Sequence, residues 1–524
     1  MNVSVREGAI VLAVDLGTTS AKVLAFDAES LRGGGRAAIR ARAERAYPLL
    51  APEPGAAELE PERIAEAAAE AVREAVAAAG CGPDGVLAVS FSTAMHALIA
   101  VDADGEALMR AMTWADVRAA GQARRLRESA EAADLAFRTG APVHAMTPLA
   151  KLLWLREQRP ELPASAARFI GIKEYVLERW FGRPVPMDES TAGGTGLYNL
   201  QERTWDGKAL RIAGIGPDRL PDLKPATHLL RGLVPEAAAR LGIRADVPVV
   251  LGAADGPLAN LGGGALEPGV AALTIGTSGA VRVAVRRPAA DPDGRLFCYP
   301  LAEGLWIAGG AVNSGGVVLR WLRDKLAPDL AGEGGDEGYA RLVGLAMEAP
   351  AGAGGLLFLP HLAGERAPHG DERARGAFVG LALDHDRRHM LRAGLEGIVL
   401  NLRSVAEALE RVTGEIREFR VSGGFVRSAS VRQLIADVLG RPVVRTDSED
   451  ASALGAARLA MQALGLSRDP DPPPAAVTDR IRPNPDLAPV YDRIHGMFRR
   501  LYDRTADTFA ELDRFRLDGC NPGP

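Results

Sequence analysis

AVDLGTTSAKVLAF, residues 13–26, is an apolar strand that ends at a carboxylate, turns through Gly17-Thr18-Thr19 and leaves as a second strand. The same pattern returns in ALTIGTSGAVRVAV, residues 272–285, in a chain of 524 residues. A Gly-Thr hairpin can recur by chance, but a recurrence offset by about half the chain points to an internal duplication. Around the first copy, residues 9–48 read as an antiparallel meander with a glycine turn at Gly33-Gly34-Gly35. Residues 60–79 then read as a helix, with Pro61 in its first turn, and residues 86–92 as a strand. Strands alternating with helices mean α/β layers. The expectation is two related α/β domains, 1–257 and 258–524, facing each other across a cleft, the favoured place for a ligand.

Length agrees, since single cores stop growing near ~250–300 residues. A formal charge of -5 gives no basic field for nucleic acid or a membrane surface. The apolar run Ala9 to Val14 ends in Asp15 and reads as a strand, and no run approaches the ~18 residues of a membrane span. Cys81, Cys298 and Cys520 are odd in number and far apart, which argues for a reducing, cytoplasmic setting. Near the end, DPDPPPAAVTDRIRPNPD reads as a semi-rigid connection to an amphipathic helix at about 489–515, whose apolar face carries Tyr491, Ile494, Met497, Leu501 and Phe509.

Phosphate chemistry is written at the two hairpins. Gly17 lets backbone N–H groups face outward, and Thr18, Thr19 and Ser20 add hydroxyl donors, as Thr277 and Ser278 do in the second copy. Asp15 at a strand end suits a hydrated Mg²⁺, which takes few direct carboxylates; Lys22 is a further cation or a solvated strand lysine. No G-x-x-x-x-G-K-[ST] stretch occurs, so a P-loop is excluded. Glycine clusters at 309–316 and at Gly423-Gly424 bring backbone close either to a ligand or to a packed helix. In GAADGPLANLG, residues 252–262, Asp255 is a helix cap before Gly256-Pro257, a general base, or both. His385 and His389 have helical metal spacing but no third ligand or glutamate partner, and read as a charged helix start. GTSGA nearly fits a hydrolase elbow, but Ala280 breaks that pattern.

VDLGTTSAKVLAFD, GAADG, TIGTSGA, the Gly423-Gly424 pair and DASALG at 450–455 together resemble the FGGY family of carbohydrate kinases, as do MTPLAKLLWL at 146–155 and GAFVGLALDHDRRHMLRAGLE at 376–396. FSTAMHALIAVDADGEAL, TWADVRA, IGIKEY and STAGGTGLYNL are most similar to its gluconate-phosphorylating branch. The resemblance implies two duplicated ribonuclease-H-like domains of the actin-like ATPase type, ATP and Mg²⁺, and transfer of phosphate to a sugar or sugar acid, D-gluconate to 6-phosphogluconate before a pentulose or polyol. It carries Asp255 onto the general base and Asp15 onto the metal. ATP contacts fall on Thr18, Thr19, Ser20, Gly276, Thr277, Gly316, Arg320, Gly424 and Ser428. Substrate contacts fall on Met95, His96, Trp114, Asp116, Asp255 and Gly256, with Arg118 or Lys173 to pair with a carboxylate or to serve structure alone. Phe425-Val426-Arg427 departs from the small or polar residues usual after the glycine pair, and Gly256 stands where many relatives place Asn or Gln. No nucleic-acid or membrane partner is expected, and a homodimer is left open. The alternative from another class is an actin-like ATPase that turns over without sugar.

Overall fold

The computed structural model describes residues 6–32, 37–330, 335–446, 450–467 and 477–519. The glycine turn at 33–35, the first part of the proline-rich connection and Cys520 lie outside the described residues. The chain forms two compact units, one of Met1–Glu267, Ala284–Ala308 and Asp450–Ala476, the other of Pro268–Val283, Gly309–Glu449 and Val477–Pro524. Packing therefore divides the chain differently from a single break after residue 257. The reason is hydrophobic: Leu301, Leu305 and Ile307, together with Ala456, Leu459 and Met461, join the buried cluster of Val11, Ala13 and Phe26.

In chain order, the first unit starts with β1 (Ile10–Leu16), β2 (Ser20–Asp27), β3 (Ile39–Ala46), α1 (Pro61–Ala79) and β4 (Val86–Thr93). It continues with α2 (Pro148–Gln158), α3 (Ile172–Phe181), β5 (Met187–Asp188), α4 (Glu189–Gly193), β6 (Leu223–Lys224), β7 (Leu229–Leu230), β8 (Val249–Ala254) and α5 (Asp255–Gly262). Next come β9 (Val270–Ile275), β10 (Gly279–Val285), β11 (Phe297–Ala302), β12 (Leu305–Val312), α6 (Gly316–Leu326) and α7 (Gly335–Met347). The chain ends with α8 (Arg387–Thr413), β13 (Glu418–Ser422), α9 (Ala429–Leu439), β14 (Val443–Thr446), α10 (Ala451–Ala463), β15 (Val477–Ile481) and α11 (Ala488–Gly519). Of these, β11 and α10 belong to the first unit.

The first sheet has the order β7-β8-β4-β1-β2-β3. β1 runs antiparallel to β2 and parallel to β4, and β8 is parallel to β4. In the second unit the order β12-β10-β9-β13-β14-β15 repeats that plan, with β9 antiparallel to β10, parallel to β13, and β13 parallel to β14. Both copies of the hairpin thus take the same place in the same topology, which is the duplicated ribonuclease-H-like fold. β1 reads as a continuous apolar run because both faces are covered: Ile10, Leu12 and Val14 point to one cluster with α1 and α3, Val11 and Ala13 to the other with α5 and α10. On α1, Ile64, Ala68, Val72 and Ala75 make the buried face at helical spacing, and the helix closes on Gly80 at φ 67°.

The terminal helix α11 buries Tyr491, Ile494, Phe498, Tyr502 and Phe509. Its inward stripe therefore uses Phe498 and Tyr502 where Met497 and Leu501 were expected, and those two are half-buried. His389 closes a capping box with Asp386 at the start of α8, while His385 Nδ1 accepts the Ala382 amide at 3.0 Å in the turn before it. Among the described residues no cluster of three or more His, Cys, Asp or Glu is arranged to hold a metal, and no helix is long and apolar enough to cross a membrane.

Candidate functional site

In the first unit, β1 delivers the half-buried Asp15 to the sheet end. Its carboxylate accepts from the Ser92 hydroxyl of β4 at 2.7 Å and from Ser452, at the start of α10, at 3.3 Å. Loss of hydration pushes its pKa up, against the pull of those hydroxyls and of Lys22. Lys22 is engaged by Asp450 at 3.3 Å. The turn after Asp15 is braced from both sides: Tyr47 donates to the Gly17 carbonyl at 2.7 Å, and the Trp114 indole N–H donates to Thr18 Oγ1 at 2.9 Å. Thr19 is exposed, and Ser20 donates to Glu44 at 2.6 Å.

Asp255 opens α5 directly after β8. β8 can approach β4 only because Gly252 has no side chain: at φ 72° a Cβ there would sit 1.8 Å from the Phe91 carbonyl oxygen. The helix cap itself is Ala254, so Asp255 lies one residue inside the expected N-cap position. Its carboxylate still accepts a first-turn amide, that of Gly256 at 2.7 Å, because the opening N–H groups of a helix lack partners within it. Ala254 packs with Met95, Ala141 and Tyr299, which brings the Met95-His96 pair to the same place as Asp255.

His96 holds a left-handed backbone at φ 68°, uncommon for a residue with a side chain, and its Nδ1 meets the Gly194 carbonyl at 2.7 Å. Lys151 of α2 fixes that conformation. Its fully buried ammonium donates to the carbonyls of His96 at 2.5 Å, Thr113 at 2.7 Å and Met112 at 3.2 Å, tying the His96 turn to the strand end that carries Trp114. Burial pushes its pKa down to about 7, opposed by Asp116. Lys151 was not singled out from the sequence; a lone lysine inside the apolar helix LAKLLWL was the available signal.

The remaining substrate candidates are committed to the protein. Asp116 is buried, accepts the Ala57 amide at 3.1 Å and pairs with Arg118 at 2.6 Å. Arg118 also binds Glu53 at 2.7 Å and Glu58 at 2.5 Å and lies over the Trp154 ring. Lys173 is fully buried in α3, bonded to Asp188 and 3.6 Å from Glu174. Full burial against two carboxylates withdraws this ammonium from a substrate. Asp188 also accepts the Thr191 amide at 2.8 Å and so caps α4, which leads to Gly194. Lys173 thus bears on the site through that chain of contacts.

In the second unit, Gly276, Thr277, Gly316, Arg320, Gly424 and Ser428 line one cavity of about 400 Å³. The others of the expected ATP set, Thr18, Thr19 and Ser20, are on the β1–β2 turn of the first unit. Sequence reasoning missed the apolar walls of this cavity, Leu319 of α6, Tyr339 and Val343 of α7 and Val431 of α9. They suit a flat ring. Gly423 sits at φ 100°, where a Cβ would lie 2.3 Å from the Ile275 carbonyl oxygen, and this close approach joins the glycine pair to the second hairpin. The departure at Phe425-Val426-Arg427 places Phe425 and Arg427 on the lining.

The Gly315-Gly316 segment is held from behind. Gly316 donates to the Gly276 carbonyl at 2.7 Å. The two preceding residues are bound by a fully buried carboxylate, Glu365: its Oε1 accepts the Asn313 amide at 2.8 Å and the Arg366 amide at 2.9 Å, and its Oε2 the Ser314 hydroxyl at 3.0 Å. His361 Nδ1 at 3.0 Å and Asn401 Nδ2 at 2.6 Å complete the Oε2 set. Burial alone would raise the Glu365 pKa, but the bonds from His361 and the amides bring it below the usual value.

A duplicated ribonuclease-H-like pair, with a carboxylate-bearing hairpin in one unit and a glycine-lined cavity in the other, defines a kinase of the actin-like class. Residues 10–262 match the N-terminal domain and residues 271–464 the C-terminal domain of the FGGY family of carbohydrate kinases, and the chain belongs to that family. It is 38% identical to a gluconokinase of Bacillus subtilis over 95% of this chain and 97% of that protein. To a xylulose kinase of the same organism it is 28% identical over 96% of this chain and 98% of that protein. Among solved structures, a gluconate kinase from Lactobacillus acidophilus superposes with TM-score 0.89 at 35% identity, covering 96% of this chain and 99% of that one. The chain is an ATP-dependent carbohydrate kinase.

Proposed function

We propose that this kinase phosphorylates D-gluconate to 6-phosphogluconate in the cytoplasm, with Asp255 as the base that takes the proton of the attacking hydroxyl. The full-length similarity to gluconokinases carries the choice of substrate. Phosphoryl transfer has a loose transition state, so the enzyme's work is positioning and charge stabilisation. Asp255 is half-buried at the start of α5, where its carboxylate accepts the Gly256 amide at 2.7 Å, and a carboxylate so placed is the group type that takes a hydroxyl proton in such a transfer. His96 and Trp114, braced by Lys151, would hold the polyol, and the Gly-Thr turns and the cavity residues would hold ATP. Asp15 fits Mg²⁺: it is an acceptor-only group whose lost hydration a cation would offset, and a hydrated ion needs few such ligands. When bound, Mg²⁺ neutralises phosphate charge.

The engagement of Arg118 and Lys173 with the protein's own carboxylates favours a second reading, a neutral ketose such as xylulose. Turnover with ATP against gluconate, xylulose, ribulose and glycerol separates the two. Gluconate is expected to give the highest kcat/KM; an inert gluconate with brisk xylulose turnover would overturn the first reading, and sugar-independent ATP consumption would overturn both.

A further inference from the structure

The first unit has a cavity of about 430 Å³ whose lining includes none of the residues assigned to catalysis or to substrate or ATP contacts. The loop Arg183–Pro186 after α3, the β6 segment Leu220–Lys224 and the residues His228–Arg231 around β7 form its walls. Five of its lining residues are basic or imidazole side chains, and Asp222 is the only acidic one. Arg168 is neutralised by Glu178, bonded at 2.6 and 3.0 Å. Arg183, Lys224 and Arg231 differ: among the described residues none of them forms an ion pair within 4.0 Å, Arg183 lying 5.8 Å from the Phe181 ring centroid and Arg231 acting on Asp246 only through space.

Like charges gathered around a concavity repel one another, at a cost that falls only when an anion enters. The three cations come from three separate chain segments, so the fold converges them where a single charged loop would not. Their closeness is also felt at His228, which burial, Lys224 and Arg183 together hold below the usual histidine range. Arginine forks match phosphate oxygens in pairs. The cavity exceeds what a lone phosphate ion fills, and Val185, Pro221 and Leu229 give it an apolar wall for a carbon skeleton.

We propose that this cavity is a binding site for a phosphorylated small molecule, held by Arg183, Lys224 and Arg231. Free phosphate shares the recognised group, so the test has two arms. Calorimetric titration of the full chain with glucose 6-phosphate and with inorganic phosphate, each at low ionic strength, is compared with the same titrations of the R183A/K224A/R231A variant. Saturable binding by the wild type, weakened about tenfold or more in the variant, supports the site; the sugar phosphate binding tighter identifies a phosphosugar ligand, equal affinities a phosphate ion. Affinities unchanged by the triple substitution, or equal binding of unphosphorylated glucose, would overturn it. Kinase turnover of the variant is expected to be unchanged, which reports its fold. A wild-type crystal soaked with glucose 6-phosphate supplies an independent readout: density bridging the three side chains is expected, and an empty cavity at saturating ligand counts against the site.

Discussion

Replacing Glu365 tests whether the glycine segment beside the second-unit cavity is held by one carboxylate. In E365A four donors lose their acceptor at once, the amides of Asn313 and Arg366, the Asn401 amide and the His361 ring, while the Ser314 hydroxyl keeps the Pro360 carbonyl at 3.1 Å. Each abandoned buried donor costs about 1–3 kcal/mol, but water can enter the space and His361 no longer has a charge to answer, so the net loss should be near the ~3–5 kcal/mol typical of breaking a buried ionic contact. E365Q is the finer probe. Its amide nitrogen cannot replace Oε1, because two backbone N–H groups point there and neither can turn round. It can replace Oε2, where the Ser314 hydroxyl can rotate, the His361 ring can change tautomer and the Asn401 side chain can flip. A cost of about 1–2 kcal/mol follows, roughly one imperfect hydrogen bond. Denaturant unfolding measures both variants, and steady-state kinetics should show KM for ATP rising while KM for the sugar stays near wild type. The sign with pH is fixed as well. The Glu365 pKa is lower folded than unfolded, so its stabilisation is complete above the ordinary value of 4.5 and drains away as pH falls below it. E365Q as stable as wild type at neutral pH, with an unchanged KM for ATP, would refute the reasoning.

Asp255→Asn should lower kcat by about 10² or more while ATP binding, followed by calorimetry, stays intact; near-normal turnover removes the base. Asp15→Asn should abolish most activity yet raise the thermal midpoint of the ligand-free protein near neutral pH. A pKa raised on folding means that the ionised form is disfavoured in the native state, and the amide avoids that cost; an unchanged or lowered midpoint goes against it. Lys151→Met removes the ammonium that ties three carbonyls together, although those of Met112 and Thr113 keep the Leu98 and Asp116 amides, so KM for the sugar should rise several-fold with a smaller change in kcat, whereas a variant with wild-type KM means that the His96 turn stands without it.

The topology was legible because its signals are local. A strand ending at a small turn residue, repeated at 13–26 and 272–285, fixes two hairpins, and duplication places them alike. Part of the candidate site was legible for the same reason, since Thr18, Thr277 and Gly424 lie in contiguous motifs. What escaped depends on contacts between distant positions. Nothing near Lys173 announces Asp188 across 15 residues, nor does the TWADVRA segment reveal that Arg118 is held by Glu53 and Glu58. An arginine in a motif can serve a ligand or a carboxylate of its own chain, and only the fold decides. The location of Asp255 one residue past the expected cap is a smaller case, in which Ala254 takes the extended conformation that begins the helix.

The division of the chain bears on its synthesis. The first unit's apolar face is completed by Ala284–Ala308 and by α10, so a nascent chain of 267 residues has its sheet but lacks Leu301, Ile307, Ala456 and Leu459 to cover Val11 and Phe26. Until the ribosome has passed residue 463, that face stays open to water and to other nascent chains. A gene fragment stopping at the end of α5 should yield an aggregation-prone product, and recovery of the first unit on its own would require grafting the two returning segments onto it.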